Sequence, residues 1–158
     1  FKRDGLPAKE ERREGMYLTG TYGRSLDAKS RITLPATFRK QFDVQVCLVP
    51  VGNALYGFTP ESHQAWIASF FPNGFNPRNR KDDKLRRALA SRTVTVDIDS
   101  AGRVALGKIR AEDIARCGIE REVAIVGNID HFEIWDSSSL SEQMDELDQD
   151  LDELMFSE

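Results

Sequence analysis

The sequence predicts an α+β fold made from two copies of one unit, and three observations carry that prediction. A ten-residue stretch, Leu26 to Pro35, returns as Ile98 to Gly107, with Asp27 over Asp99 and Arg31 over Arg103 at a common interval of 72 residues. Near these copies, Ile32 and Leu34, or Val94 and Val96, alternate with polar or small residues at the period of a half-buried strand. Helix signals follow each copy: Pro35 ahead of Phe38 and Phe42, and a later stretch closing at Gly118.

Within each copy a small-polar turn joins two β-runs. Asp27 with Ser30, and Asp99 with Gly102, are the turn-shaping residues, because such residues bond their own backbone or tolerate positive φ. Each turn has a cation at its exit, Arg31 or Arg103. A chain that builds one arginine-bearing turn twice suggests a two-fold reader of something anionic.

Composition limits the alternatives. A length of 158 residues suits one ordinary domain, or two small halves sharing a core. With 40% hydrophobic and 30% charged residues, the chain falls in the soluble globular class. It shows no apolar run of membrane-span length and no signal peptide, so no membrane partner is expected. Cys47 and Cys117 lack a CxxC spacing and nearby histidines, which reads as buried thiols in a reduced cytosol. The net charge of −4 hides an asymmetry. Residues 1–110 hold 20 Lys and Arg against 11 Asp and Glu, whereas residues 111–158 hold 2 against 15. A polyanion feels the local patch rather than the sum, so this basic body is compatible with nucleic acid.

Taken in order, residues 1–15 read as a disordered extension or expression remnant, with Met16 as the natural start. A first repeat is expected over 16–75. It holds a strand from Tyr17 to Arg24, the turn, a short helix with Phe38 and Phe42 on one face, and a strand from Val44 to Val51. The Gly52–Asn53 turn leads to a partner strand from Ala54 to Phe58. Thr59 then caps a helix begun by Pro60, on which His63, Trp66, Ile67 and Phe70 form a stripe. Pro72 to Pro77 separates the halves. The second repeat, over 76–136, opens with a basic linking helix at 78–90 and continues with strands at 92–98 and 103–106, a helix ending near Gly118, and a hairpin of Val123 to Val126 and Ile129 to Trp135. The acidic amphipathic helix over 137–158 carries Leu140, Met144, Leu147, Leu151 and Leu154 at heptad spacing, too few repeats to specify a coiled coil.

No catalytic set is present: His63 and His131 lie in opposite halves without a paired nucleophile, and no glycine loop is shaped to cradle phosphate. The chain is therefore not expected to be an enzyme or to need a cofactor or small-molecule substrate. Asp97 to Gly102 resembles the start of a calcium loop, but Lys108 stands where a bidentate glutamate is required, so no metal is expected. The remaining chemistry is cationic. Arginine is suited to bidentate contact with guanine or phosphate. Arg31 and Arg103, with Arg24 on the strand before the first turn, are the candidate DNA-binding residues. The alternative for each turn is a surface loop whose aspartate and arginine pair with one another.

The motif Asp27-x-Lys29-Ser30-Arg31-Ile32-x-Leu34-Pro35, its echo Asp99-x-x-Gly102-Arg103, and the segments Val126–Asn128 and Phe132–Asp136 resemble the MraZ family of bacterial transcriptional regulators. The resemblance spans Met16 to about Asp136. It implies two tandem AbrB-like swapped-hairpin repeats interleaved into a small pseudo-two-fold barrel with flanking helices. It further implies a cytoplasmic, nucleoid-associated DNA-binding protein controlling the division and cell-wall gene cluster. Such a protein binds short G-rich direct repeats in double-stranded DNA and assembles as a ring-shaped homo-oligomer. Lys29, Arg31 and Arg103 match the family's DNA-contacting positions. Ser30 replaces the usual glycine, so a less tightly bent first turn is expected. Ala101 gives the second turn no counterpart of Lys29, so the first turn is expected to contribute more. The rival reading is a protein-interaction or antitoxin-like module using the same hairpins.

Overall fold

The computed structural model describes residues 16–157, and the extension expected over 1–15 lies outside them. The first repeat comprises β1 (Thr21–Ser25), β2 (Arg31–Thr33), α1 (Ala36–Arg39), β3 (Gln45–Val51), β4 (Ala54–Phe58) and α2 (Pro60–Ala68). After α3 (Arg80–Ser91) come β5 (Val94–Asp97), β6 (Arg103–Ala105), α4 (Ala111–Cys117), β7 (Glu122–Gly127), β8 (Phe132–Asp136) and α5 (Ser137–Phe156).

A six-stranded sheet in the order β1-β7-β8-β4-β3-β5 stands beside a two-stranded ribbon of β2 and β6, and every pairing is antiparallel. Strands of one repeat pair with strands of the other: β1 with β7, β3 with β5, β4 with β8 and β2 with β6. Replacing each strand by its repeat counterpart leaves the order unchanged read from the other end. The expected barrel is not closed. β1 and β5 remain sheet edges, because the strands that follow them leave the sheet to pair with each other. Nor do the strands flanking each turn form a hairpin ladder. They share a turn-closing bond and then diverge to different partners.

Several element boundaries differ from the sequence expectation, and three of the differences have a backbone reason. Gly20 sits at φ 90°, so Leu18 makes only an isolated bridge to Ile129 before β1 starts at Thr21. Ile129 itself sits at φ 68°, outside the β region, so β8 begins at Phe132. Pro35 caps α1 rather than occupying its first turn, and its carbonyl accepts from the N–H groups of Phe38 and Arg39.

The main core draws on both repeats. Phe38 and Phe42 pack against Phe132 at ring separations of 6.2 and 5.6 Å, and Ile32, Leu55, Val104 and Ile134 are fully buried around them. Gly57 faces Phe132 across the β4–β8 seam, where a Cβ would come within 2.3 Å of the ring. A smaller cluster of Cys47, Val49 and Phe58 is covered by Trp66 of α2, whose N-terminus Thr59 and Ser62 close in a capping box. His63 bonds Thr93 at 3.0 Å and meets Phe58 edge-on, the packing role its stripe predicts. Both cysteines are buried and unpaired by disulfide. Neither α2 nor α3 buries a residue outright, though Trp66 of α2 packs on the second cluster, and α5 buries only Leu140. Among the described residues no helix is long and apolar enough to cross a membrane.

At the seam Tyr56 lies opposite Glu133, and the His131 ring stacks on Tyr56 at 4.6 Å. The two ring nitrogens of His131 face carboxylates, Asp130 Oδ1 at 2.8 Å and Glu133 Oε2 at 2.9 Å. That arrangement suits an imidazolium donating from both nitrogens. Burial pushes the His131 pKa down, but the hydrogen bonds to Glu133 and Asp130 outweigh it and raise the value above the ordinary 6.5. A raised folded-state pKa stabilises in full below the unfolded value, and this contribution is lost as pH rises through the folded one. Thermal unfolding of the protein and of His131→Gln should therefore differ most below pH about 6.5 and converge above it. A gap that stays constant with pH would mean that the charge on His131 contributes nothing.

Candidate nucleic-acid interface

One aspartate builds each repeated turn. Asp27 Oδ1 accepts from the backbone N–H groups of Lys29 and Arg31, both at 2.9 Å, and Oδ2 accepts from Arg31 Nε at 2.8 Å. The backbone closes around it: Asp27 N–H donates to Arg31 O and Ser30 N–H to Asp27 O, each at 3.0 Å. Asp99 repeats every bond. It accepts from Ala101 N–H at 3.0 Å, Arg103 N–H at 2.8 Å and Arg103 Nε at 2.8 Å. Asp99 N–H donates to Arg103 O, and Gly102 N–H to Asp99 O. In both turns the arginine's backbone N–H is the foremost cause holding the carboxyl below its ordinary value of 3.8.

Ser30 sits at φ 58° and Gly102 at φ 81°, the matching positions of the two turns. The expectation of a looser first turn does not hold. Ser30 adopts the left-handed conformation at a cost of about 1–2 kcal/mol relative to glycine, offset by the bonds Asp27 makes around it.

The aspartate and arginine of each turn do pair, as the surface-loop alternative requires, with Arg31 and Arg103 side chains 28% and 34% exposed. The pairing engages only Nε. Among the described residues the Nη groups of both arginines have no partner, so each guanidinium keeps its outer donors and loses rotational freedom. An arginine held in this way is pre-organised for a bidentate acceptor, which lowers the entropic cost of binding one.

The ribbon then sets the two arginines on one surface. Arg31 lies opposite Ala105 and Arg103 opposite Thr33, so Arg31, Thr33, Arg103 and Ala105 share a face while Ile32 and Val104 point into the core. Reciprocal bonds of 2.9 Å, Leu34 N–H to Gly102 O and Leu106 N–H to Ser30 O, tie each turn to the end of the other repeat's strand. A two-stranded antiparallel ribbon is one of the shapes that the major groove of B-DNA admits.

The other candidates fall into place unequally. Lys29 projects from an exposed turn position, and only its backbone N–H is bonded. Arg24 donates from Nε to Thr33 O at 3.1 Å and from Nη1 to Gly23 O at 2.8 Å, lashing β1 to β2. On α3, Arg86 lies over the Phe75 ring at 3.4 Å and Arg87 pairs with Asp83, so part of the basic face is internally engaged. Sequence reasoning missed Arg39, whose Nη2 donates to Ser100 O at 3.2 Å in the second turn. The Asp99 carboxylate is committed to its own turn, and among the described residues no group of three or more His, Cys, Asp or Glu is arranged to hold a metal.

Comparison with known proteins places the chain in a family. Residues 17–84 match the family described as "MraZ protein, putative antitoxin-like". A transcriptional regulator MraZ of Spiroplasma kunkelii is 30% identical over 125 residues, covering 77% of this chain and 82% of the relative. The chain belongs to the MraZ family. Two further proteins of that name extend the likeness. That of Limosilactobacillus fermentum is 31% identical over 139 residues (85% of this chain, 92% of the relative), and that of Oleidesulfovibrio alaskensis 32% over 130 (79% and 84%). The stretch matched by the MraZ family includes Asp27, Lys29, Arg31 and Arg39.

Because Asp27 both carries negative charge and aims Arg31, its removal separates two effects. Asp27→Asn keeps an amide oxygen for the backbone donors but sets a second donor against Arg31 Nε. Random DNA is expected to bind more tightly to this variant, since a negative charge is gone, while discrimination for the cognate site falls. Competition titration measures both quantities, and unchanged discrimination would show that the Asp–Arg bond does not orient the reader.

Proposed function

We propose that the protein is a sequence-specific DNA-binding transcriptional regulator that reads double-stranded DNA through its two turns and the ribbon between them. The observation that carries this reading is the matched pair of arginines, each aimed by its own aspartate, on one face of the β2–β6 ribbon. Arg31 and Arg103 contact base edges, Lys29 holds phosphate, and Arg24 braces the first turn from behind. The relatives named transcriptional regulator MraZ support the same reading. By that kinship the repeats are of the AbrB-like swapped-hairpin kind, and the DNA is a set of short G-rich direct repeats upstream of the division and cell-wall gene cluster, bound by a cytoplasmic, nucleoid-associated protein.

A single ribbon offers few base contacts, so useful affinity calls for several subunits on successive DNA repeats. A ring-shaped homo-oligomer supplies this, because a bound subunit presents its neighbour to the next repeat at high effective concentration. The exposed apolar stripe of α5, with Met144 36% and Leu151 42% exposed, supports a subunit that does not function alone. The antitoxin-like alternative, a protein-binding use of the same turns, predicts a different salt response. Binding through phosphates weakens steeply with ionic strength through counterion release, whereas a mostly apolar protein interface does not.

Two measurements test the proposal. Arg31→Ala should cost about 1–3 kcal/mol at the cognate repeat and blur discrimination, whereas Lys29→Ala weakens cognate and random DNA alike. Wild-type affinity of Arg31→Ala for both would refute the assignment. In a repeat array, adding about five base pairs between sites should sharply weaken binding and adding about ten should restore much of it, since the sites then return to one face of the helix. Equal affinity for one isolated repeat and for the array would exclude the multi-subunit mechanism.

A further inference from the structure

We propose that Arg39 is the phosphate-contacting cation of the second turn, supplied by the first repeat to a turn whose own sequence lacks one. The inference rests on the DNA-binding reading above and adds a residue to it. The first turn carries its cation in line, at Lys29; the matching position of the second turn is Ala101. Arg39, in the last turn of α1, reaches across to that gap. Its Nη2 donates to the carbonyl of Ser100, the residue next to Ala101, at 3.2 Å.

Gly102 leaves room for this close approach. A Cβ built there would lie 3.2 Å from both Cδ and Nη1 of Arg39, and the glycine's φ of 81° is one that other residues adopt only under strain. Gly102 is buried although Ala101 beside it is exposed, whereas Ser30, its counterpart, is exposed with no such cover. The glycine thus serves the turn and also the seat of the arginine. Arg39 is exposed, and its single bond to Ser100 O leaves further donors on the guanidinium for an outside acceptor. No carboxylate pairs with it among the described residues, in contrast to Arg31 and Arg103, so its charge stays available. A cation with free donors beside a turn suits a phosphate rather than a base edge, since nothing fixes its angle as Asp99 fixes Arg103. The second turn is then not the weaker one that its sequence implies.

The test separates charge from bracing. The full-length protein and its variants are titrated with random-sequence duplex DNA over a salt series, with thermal unfolding alongside. Arg39→Gln keeps a donor for Ser100 O and loses the charge; its slope of log K against log salt should flatten by about 0.9 for each phosphate that is no longer neutralised, with the unfolding midpoint unchanged. Arg39→Lys should bind as wild type, and Ala101→Lys added to Arg39→Gln should restore the slope. An unchanged slope in Arg39→Gln, or a weakening in Arg39→Lys as large as in Arg39→Gln, overturns the assignment. Lys29→Ala in the same series shows which reading has failed: if it flattens the slope and Arg39→Gln does not, the turns bind DNA without Arg39; if neither flattens it, the DNA-binding role of the turns falls as well.

Discussion

Three residues of each repeat, Arg31–Thr33 and Arg103–Ala105, meet in an antiparallel ribbon, and the position of both turn arginines depends on that meeting. With Ile32 and Val104 fully buried on one side, a shift of one residue in the register would put an arginine of one strand on the face of the other strand's apolar residue, turning one arginine inward and one apolar residue out. The burial of those two side chains therefore fixes the outward direction of the charges. The same pairing removes β2 and β6 from the sheet, which leaves β1 and β5 as edges and the sheet open. The core face and the arginine face are two sides of one short ribbon.

The local electrostatics run against a simple count of charge. The chain carries a net −4, and each turn arginine sits 2.8 Å from a carboxylate, so the turns are poor as bare cationic patches. Their value is directional. A guanidinium held at Nε has its remaining donors aimed outward, and the aspartate that holds it is itself held by two backbone N–H groups of the turn. Direction of this kind favours selectivity, while cations without a carboxylate partner, such as Lys29 and Arg39, favour affinity without it. In the proposed reading the two roles fall to different residues, and in the second turn the unpaired cation comes from α1 rather than from the turn itself.

The helices divide along similar lines. α1 contributes Phe38 to the core shared by both repeats, and α2 closes a second cluster over Phe58. α3 and α5 do neither. α5 carries seven carboxylates and no cation along its length, with an apolar stripe that only Leu140 brings to the sheet.

Whatever forms within a few residues of chain could be read from the amino acids directly. The Asp–Arg turns with their interval of 72 residues, the Thr59–Pro60 helix start, the Gly52–Asn53 turn and the Gly118 helix end were all legible, because each depends on bonds between near neighbours or on the φ of one residue. The family resemblance was legible for the same reason, being carried by those compact motifs. The bend at Ser30 was not, since residue type alone does not reveal that Asp27 holds a serine in a glycine conformation. Packing between distant segments set which strands pair, kept the sheet open, tied Arg24 to β2 and laid Arg39 across the second turn. Those outcomes join residues far apart in the chain, such as Arg39 and Ser100 at a separation of 61, and they follow from burying Ile32, Val104 and Phe132 together. Local chemistry wrote the two turns; the shared core determined that they face the same way.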